Sequence, residues 1–177
     1  SLTENFISVG QKRWVPMEVS TLLNEALGMA GLINQTRVET RLDYSEGLSQ
    51  VYGNPVLLRE SLTNIFSNAI EAVEENGLIT IAAFQDDGAV VVRISDNGVG
   101  IPQEMREHLF EPFHSSKPQG TGVGLFAAKH ILEMHHGSVE IESEEGQGTT
   151  VTVKLPAVLA QNGAEDSSDT LPQGQLQ

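Results

Sequence analysis

The chain has no cysteine among its 177 residues, which excludes disulfide bonds and thiolate metal sites. It also lacks an apolar run close to the ~20 residues that a membrane-spanning helix needs, and it shows no signal-peptide pattern. Basic residues are few, with 10 Lys and Arg against 24 Asp and Glu and a net charge of −14. Because nucleic-acid backbones are bound by Lys and Arg patches, this balance argues against a nucleic-acid partner. A nucleotide stays compatible with it, because a metal ion and helix ends can compensate phosphate charge.

Two common phosphate-binding patterns are also missing from the sequence. No Gly-x-x-x-x-Gly-Lys-Ser/Thr segment occurs, which excludes a P-loop ATPase. Gly98-x-Gly100 lacks the third glycine that a dinucleotide fingerprint needs. The glycines at 120, 122 and 124 follow a predicted loop and not a strand, so a Rossmann site is disfavoured as well.

Residues 96–125 nevertheless carry the strongest signal for a ligand site. The β-branched run at 90–94 predicts a strand that ends just before Asp96, and a carboxylate there can accept hydrogen bonds from a bound amine. Gly98 and Gly100 would let a ligand approach the backbone. The glycine run at 120–124 leads into a helical pattern, and unpaired amides at a helix N-terminus favour phosphate. These features together predict a nucleotide site with a base anchor and a phosphate cradle.

A long helix is predicted from residue 55 to about residue 75. Its apolar stripe consists of Leu58, Leu62, Ile65, Ala69 and Val73. Glu60, Asn64 and Asn68 form a second stripe at spacing four, roughly opposite the first. Their oxygens would point at one place in space, but the same residues are also typical of an ordinary solvated helix face. The stripe by itself leaves both interpretations open.

The remaining periodicity predicts an α/β two-layer sandwich. Further helices are predicted at 17–33, 102–108 and 123–135, and strands at 38–44, 50–52, 78–84, 89–94, 138–142 and 149–155. Hairpins combined with helices favour a mixed, mostly antiparallel sheet that is covered by helices on one face.

The ends of these elements carry further expectations. Pro16 stands where the start of a helix tolerates proline, and Gly137 is expected to cap the last helix. His135 and His136 are expected to place partial positive charge at the C-terminus of that helix, where it suits the dipole. Trp14 is expected to pack on the edge of the domain.

Four ordered motifs closely resemble those of the ATP-binding catalytic domain of bacterial sensor histidine kinases. They are the N box at 57–72, the first glycine box at 96–101, the F box at 109–113 and the second glycine box at 120–125. The wider superfamily includes gyrase, mismatch-repair ATPases and heat-shock chaperones. The resemblance covers residues 14–156 and implies a Bergerat-type fold with a mobile ATP lid. It makes residues 1–13 a lead-in from an upstream domain and 157–177 a disordered tail or linker.

The resemblance implies ATP and Mg²⁺ as cofactors and assigns roles to individual residues. Asn68 would bind Mg²⁺ through its amide oxygen, with Asn64 beside it on phosphate or metal-bound water. Asp96 would accept the adenine amino group. The nucleotide-contacting set is Asn64, Asn68, Asp96, Gly98, Gly100, Ile101, Lys117, Gly120, Thr121, Gly122, Val123, Gly124 and Leu125.

Catalytic roles are implied for Glu60, Asn64 and Lys117. Lys117 would meet the γ-phosphate and neutralise charge in a loose transition state. Glu60 stands where relatives carry a general base, so it would either polarise the incoming nucleophile or only order the waters of the metal. Many kinases carry a lysine at the position of Glu71, so the phosphate needs another cation, for which Lys117 and Arg59 are the candidates.

All five histidines lie downstream of the N box, whereas the family phosphorylates a histidine well upstream of it. The chain therefore resembles the catalytic half of a kinase. Its implied partners are a separate dimerisation and histidine phosphotransfer domain of the same parent protein and a response regulator. Neither nucleic acid nor direct membrane contact is expected, and a cytoplasmic location is implied, with membrane anchoring of the parent protein left open.

Two other functions stay open at this point. A gyrase-type switch would hydrolyse ATP, with Glu60 activating water, although the Glu-Pro-Phe-His-Ser-Ser-Lys segment at 111–117 argues against it. A non-catalytic regulator would only hold nucleotide, although the intact Asn68 and Asp96 make this less favoured.

Overall fold

A computed structural model of the chain describes residues 13–33, 35–111 and 124–158. The expectations for the lead-in before residue 13, for most of the lid and for the tail from residue 159 lie outside these ranges. Within them, the helices are α1 (Val19–Ala30), α2 (Pro55–Ala72), α3 (Gln103–Arg106) and α4 (Gly124–Met134). The strands are β1 (Val15–Met17), β2 (Glu39–Tyr44), β3 (Val51–Gly53), β4 (Leu78–Asp86), β5 (Ala89–Asp96), β6 (Ser138–Glu144) and β7 (Gly148–Pro156).

Five strands form one mixed sheet in the order β2-β4-β5-β7-β6. β2 and β4 pair in parallel, and the other three pairs are antiparallel. β1 and β3 form a separate two-stranded antiparallel sheet. The predicted mixed, mostly antiparallel α/β architecture is confirmed.

The hydrophobic core lies between the sheet and three helices. α2 packs between α1 and α4 and also contacts β5 and β7. Along β5, Val90, Val92 and Ile94 are buried in this core, because alternate side chains of a strand point to the same face. The predicted layer of helices on one face of the sheet is therefore also confirmed.

The hairpin between β4 and β5 turns through two residues in the left-handed region. Asp87 has φ 47° and Gly88 has φ 77°. Left-handed backbone at both loop positions matches the right-handed twist of the flanking strands, and an Asp-Gly pair adopts it readily. The hairpin expected between the strands predicted at 78–84 and 89–94 is confirmed.

Several helix boundaries differ from those predicted, among them the end of α1, which lies at Ala30 and not at residue 33. α1 begins at Val19, and Pro16 lies in β1, where it pairs with Tyr52. α2 ends at Ala72, before the predicted end near residue 75, because Val73 adopts extended backbone with φ −91° and ψ 144°.

α4 ends in a Schellman motif whose left-handed residue is His136, with φ 60°. The His136 N–H donates to the Glu133 carbonyl at 3.0 Å, and the Gly137 N–H donates to the Leu132 carbonyl at 2.8 Å. The capping position assigned to Gly137 from the sequence thus belongs to His136. Glycine is needed at 137 for another reason, since a Cβ there would collide with the backbone carbonyl of Lys154.

Candidate functional site

The start of α2 is set by Asn54, whose side chain caps the helix. Its Oδ1 accepts hydrogen bonds from the Val56 N–H at 3.0 Å and the Leu57 N–H at 3.3 Å, and Pro55 occupies the first helical position. Capping satisfies amides that have no partner inside the helix. Asn54 and Pro55 therefore fix the residue at which α2 begins. The start of the helix in turn determines the direction in which the polar stripe faces.

The polar stripe lies at the border between the core and solvent. Glu60 is exposed, whereas Asn64 and Asn68 are half-buried. A Cβ added to Gly124, the first residue of α4, would lie 3.9 Å from Asn64 Cβ. The stripe thus faces the side of α2 on which α4 begins. Within the described parts of the chain, the side chains of all three residues make no hydrogen bond, so their oxygens are not engaged by the protein there.

Asp96 is the last residue of β5 and lies between two neighbouring strands. It pairs with Ile79 of β4 and Thr149 of β7. Its side chain is half-buried, and Oδ1 accepts the Gly98 N–H at 2.9 Å. The carboxylate therefore stands at the strand end, as predicted, and its direction is held by the loop that follows it.

The loop after Asp96 is attached to the end of α2 and to the β6–β7 hairpin. The Val99 N–H donates to the Ala72 carbonyl at 3.0 Å, and the Gly146 N–H donates to the Val99 carbonyl at 2.7 Å. The Ile101 N–H donates to Ser143 Oγ at 2.8 Å. Hydrogen bonds on both sides therefore hold the loop in one conformation, and a ligand that bound there would cost the loop little conformational freedom.

Gly98 and Gly100 have a structural role in addition to the one predicted for them. A Cβ on Gly98 would collide with the carbonyl of Ala72, and a Cβ on Gly100 would collide with the carbonyl of Glu144. Gly100 also has φ 69°, in the left-handed region. The neighbouring protein backbone thus requires glycine at both positions. Close approach of a nucleotide to this loop stays a prediction.

Ser143 of β6 supports the site and was not identified from the sequence. Besides accepting from Ile101, its Oγ lies 3.0 Å from the Gly148 carbonyl and 2.8 Å from Thr149 Oγ1. Its backbone carbonyl accepts a hydrogen bond from the Arg106 guanidinium. A serine between two glutamates on an alternating strand signals an inward side chain, but this alternation does not show what the side chain contacts.

A sequence family described as histidine kinase-, DNA gyrase B-, and HSP90-like ATPase matches residues 53–159. That range is more than half of the chain and includes α2, the Asp96 loop and the β6–β7 hairpin. The chain belongs to this ATPase family. Nucleotide binding is thereby supported as the general property of the domain.

Named relatives of this ATPase domain are kinases. Sensor histidine kinase ZraS of Escherichia coli (strain K12) is 30% identical over 141 residues, which cover 79% of this chain and 30% of that protein. Sporulation kinase B of Bacillus subtilis (strain 168) is 34% identical over 160 residues, which cover 88% of this chain and 37% of that protein. The chain thus spans a minor part of the length of each relative.

Solved structures of histidine kinases share the fold of this ATPase domain. The catalytic domain of histidine kinase ThkA, in a nucleotide-free form, matches with a TM-score of 0.72 and 28% identity over 81% of this chain and 95% of that chain. The mycobacterial sensor histidine kinase MprB also matches with a TM-score of 0.72, at 25% identity over 81% and 97% of the two chains.

Several predicted contacts of the ATPase domain lie outside the described residues. They are those of Lys117, Gly120, Thr121, Gly122 and Val123. Of the following pair, Gly124 begins α4, and Leu125 is partly buried against the hydrophobic core. Its contact with nucleotide stays a prediction beside this packing role.

Arg59, one of the two candidates for the cation that is missing at Glu71, pairs with an acidic residue of α1, and its role toward phosphate stays a prediction. Its guanidinium lies 3.1 Å from Glu25 of α1. Lys117 also stays a candidate for the γ-phosphate.

The F box contains two aromatic residues, of which the structure describes Phe110. The ammonium group of Lys129 lies 5.0 Å from the centroid of the Phe110 ring. Phe113 is not among the described residues.

His135 is buried and neutral, contrary to the expectation of a positively charged helix end. Its Nδ1 lies 2.7 Å from the Ile131 carbonyl, to which it donates, and its Nε2 accepts the Asn54 N–H at 3.0 Å. Burial lowers the pKa of the imidazole. His135 therefore acts as a neutral bridge from the end of α4 to the start of α2.

Neither a metal cluster nor a transmembrane helix is evident in the described ranges. No group of three or more His, Asp or Glu side chains there is arranged to hold a metal ion. No helix among the same residues is both long and apolar enough to cross a membrane.

Proposed function

We propose that this domain binds Mg-ATP and transfers the γ-phosphate to a histidine of a separate dimerisation domain, from which a response regulator receives it. The observation that carries the proposal is the connection between the two halves of the site. Asn68 lies one turn before Ala72, and the Ala72 carbonyl holds the Val99 amide of the Asp96 loop. A direct hydrogen bond therefore joins the oxygen-bearing helix to the loop that follows the strand-end carboxylate.

In this proposal Asp96 recognises adenine. Its half-buried carboxylate accepts the exocyclic amine, and the Gly98 amide keeps it pointing in a fixed direction. Hydrogen bonds to an ionised acceptor are stronger than neutral ones and are stronger still when partly desolvated. The contact would select a base with an amino group at this position.

Asn64 and Asn68 fit a magnesium site of the open kind. Both present amide oxygens, both are half-buried, and no described protein group hydrogen-bonds to either side chain. Mg²⁺ prefers oxygen ligands and is usually held by one or two protein groups together with phosphates and water. When bound, the ion would supply charge neutralisation for the phosphates. Asn68 would hold it, and Asn64 would contact phosphate or metal-bound water.

We infer that Glu60 acts on the incoming nucleophile. It is exposed on α2, one turn before Asn64, so an imidazole from another domain could reach it. In the transfer, a bond forms between an imidazole nitrogen and the γ-phosphorus while the bond to the β–γ bridging oxygen breaks, leaving ADP. Glu60 would accept the proton of the other imidazole nitrogen, and Lys117 would neutralise charge on the γ-phosphate.

The proposed use of ATP also suggests a location for the domain. Since ATP is available in the cytoplasm, we propose that the domain lies there.

Transfer in trans tests this function. The chain is mixed with γ-labelled ATP, Mg²⁺ and the histidine hairpin of its parent protein, and acid-labile phosphate on the hairpin is measured over time. Transfer to the hairpin, but not to a hairpin in which the acceptor histidine is replaced, is the expected result. Rapid hydrolysis with no phosphate passed on would indicate the gyrase-type switch instead. Binding without turnover would indicate the non-catalytic regulator.

A further inference from the structure

The C-terminal end of α2 is held by an arginine from a distant part of the chain. A helix leaves its last four carbonyls without partners inside the helix, here those of residues 70–73. The last turn of α2 contains no basic residue. Arg37, just before β2, supplies the donors instead: its Nη2 lies 2.8 Å from the Ile70 carbonyl and its Nη1 lies 2.9 Å from the Val73 carbonyl.

The backbone around Arg37 strengthens this attachment. The Arg37 carbonyl accepts the Asn76 N–H at 2.8 Å, just beyond the end of the helix. A guanidinium at a helix C-terminus also interacts favourably with the helix dipole. The segment before β2 therefore fixes the last turn of α2 both through the Arg37 side chain and through its backbone.

The same helix end positions the Asp96 loop. The carbonyl of Ala72, which lies between the two carbonyls bound by Arg37, accepts the Val99 N–H at 3.0 Å. Gly98 packs so closely on Ala72 that it has no space for a Cβ, and the Gly98 amide donates to Asp96 Oδ1. A displacement of the last turn of α2 would therefore reach the carboxylate through two adjacent backbone contacts.

We infer that Arg37 is a positioning residue for base recognition: it holds the last turn of α2 in the place from which Ala72, Val99 and Gly98 orient the Asp96 carboxylate. This inference rests on the proposed nucleotide site. Arginine suits the task because its planar fork presents two donors at a fixed separation, whereas a lysine has a single nitrogen. Arg37 itself does not contact the nucleotide.

Base discrimination separates positioning from a purely structural role. Inosine triphosphate has an oxygen in place of the adenine amino group, so the ratio of its Kd to that of ATP measures how well Asp96 engages the base. The ratio is determined by calorimetry for the full chain and for Arg37→Ala and Arg37→Lys, at a temperature where circular dichroism shows each to be folded. Arg41→Ala is the matched control, because Arg41 is exposed and its guanidinium pairs at 2.8 Å with Glu39 of the same strand.

We expect Arg37→Ala to lower the ratio by about tenfold, chiefly by weakening ATP binding, and Arg37→Lys to restore part of it. Arg41→Ala should leave the ratio unchanged. A lower melting temperature with an unchanged ratio in both Arg37 variants would show a structural role and overturn the inference, while the nucleotide site would stand. If the unsubstituted chain bound neither nucleotide, or both equally, the proposed recognition by Asp96 would itself be wrong.

Discussion

The imidazole of His135 stacks on the indole of Trp14, with ring centroids 4.4 Å apart and ring planes 6° apart. Trp14 immediately precedes β1, and it also contacts the ring of Tyr52 on β3 at 5.9 Å. Because His135 accepts the Asn54 N–H, the stack joins the start of the described domain to the ends of both helices of the site. Trp14 does not merely cover an edge of the domain; it packs directly on this junction.

The stability of the domain should decrease as the pH falls below about 6.5, the ordinary pKa of histidine. Burial lowers the pKa of His135 in the folded state, so the unfolded chain binds the proton more readily. The stability that neutral His135 contributes is therefore fully present above pH 6.5. It is lost as the pH falls toward the lowered pKa that His135 has in the folded state. Urea unfolding from pH 5 to 8, followed by the fluorescence of the single Trp14, measures this dependence.

His135→Gln should flatten that pH profile, whereas His130→Gln should preserve it, because His130 is exposed on the same helix. The exposed His108 acts in the opposite direction, since its hydrogen bond to Glu111 raises its pKa and favours the folded state at lower pH. Equal slopes in the two glutamine variants would show that His135 is not the group responsible.

Asp96→Asn should weaken adenine nucleotide binding by about tenfold or more, because a hydrogen bond to a charged acceptor contributes ~1.5–3 kcal/mol. The asparagine oxygen can still accept the Gly98 amide, so the loop should keep its conformation. Calorimetry with ATP measures the change. Asp87→Asn is the matched control, since Asp87 is exposed in the hairpin at the other end of β5, and its left-handed backbone suits asparagine. Unchanged affinity in Asp96→Asn would refute the proposed base contact.

Asn68→Ala should reduce Mg²⁺-dependent ATP binding and transfer, because it removes the amide oxygen proposed to hold the ion. When Mg²⁺ is titrated at a fixed ATP concentration, the variant should require a higher Mg²⁺ concentration for ATP binding and transfer than the unsubstituted chain does. Asn24→Ala provides the comparison, since it makes the same change on α1, where the side chain contacts Tyr44 on the exterior. Kinase activity in trans that is untouched by Asn68→Ala would mean that the metal assignment is wrong.

The end of α4 predicts opposite effects for two adjacent substitutions. His136→Gly should stabilise the fold by about 1 kcal/mol, because the left-handed backbone at this position is unfavourable for a residue with a Cβ. Gly137→Ala should destabilise it by about 1–3 kcal/mol, because the added methyl group meets the Lys154 carbonyl. Free energies of unfolding in urea measure both. If Gly137→Ala were neutral, strand and helix would not pack as closely as described.

Much of the site was predictable because its parts are close together in sequence. The β-branched run before Asp96 and the spacing of Glu60, Asn64 and Asn68 are local patterns, and they fall on the expected strand and helix. The first glycine box falls on the expected loop after β5. The identity of the ATPase family follows from the order of the four motifs. The chemical role of each residue toward nucleotide is still a prediction, because no local pattern reports a ligand contact.

The sequence alone was enough for the α/β class, the strand and helix pattern and the ordered motifs, since these depend on side-chain alternation and on residues a few positions apart. Only the tertiary structure decided that Arg37 holds Val73, that Ser143 holds Ile101 and that His135 is neutral. Those partners are 36 and 42 residues apart in the first two cases, and His135 lies 81 residues from Asn54. Contacts at such separations depend on how the core packs. Packing, unlike periodicity, is a property of the whole chain.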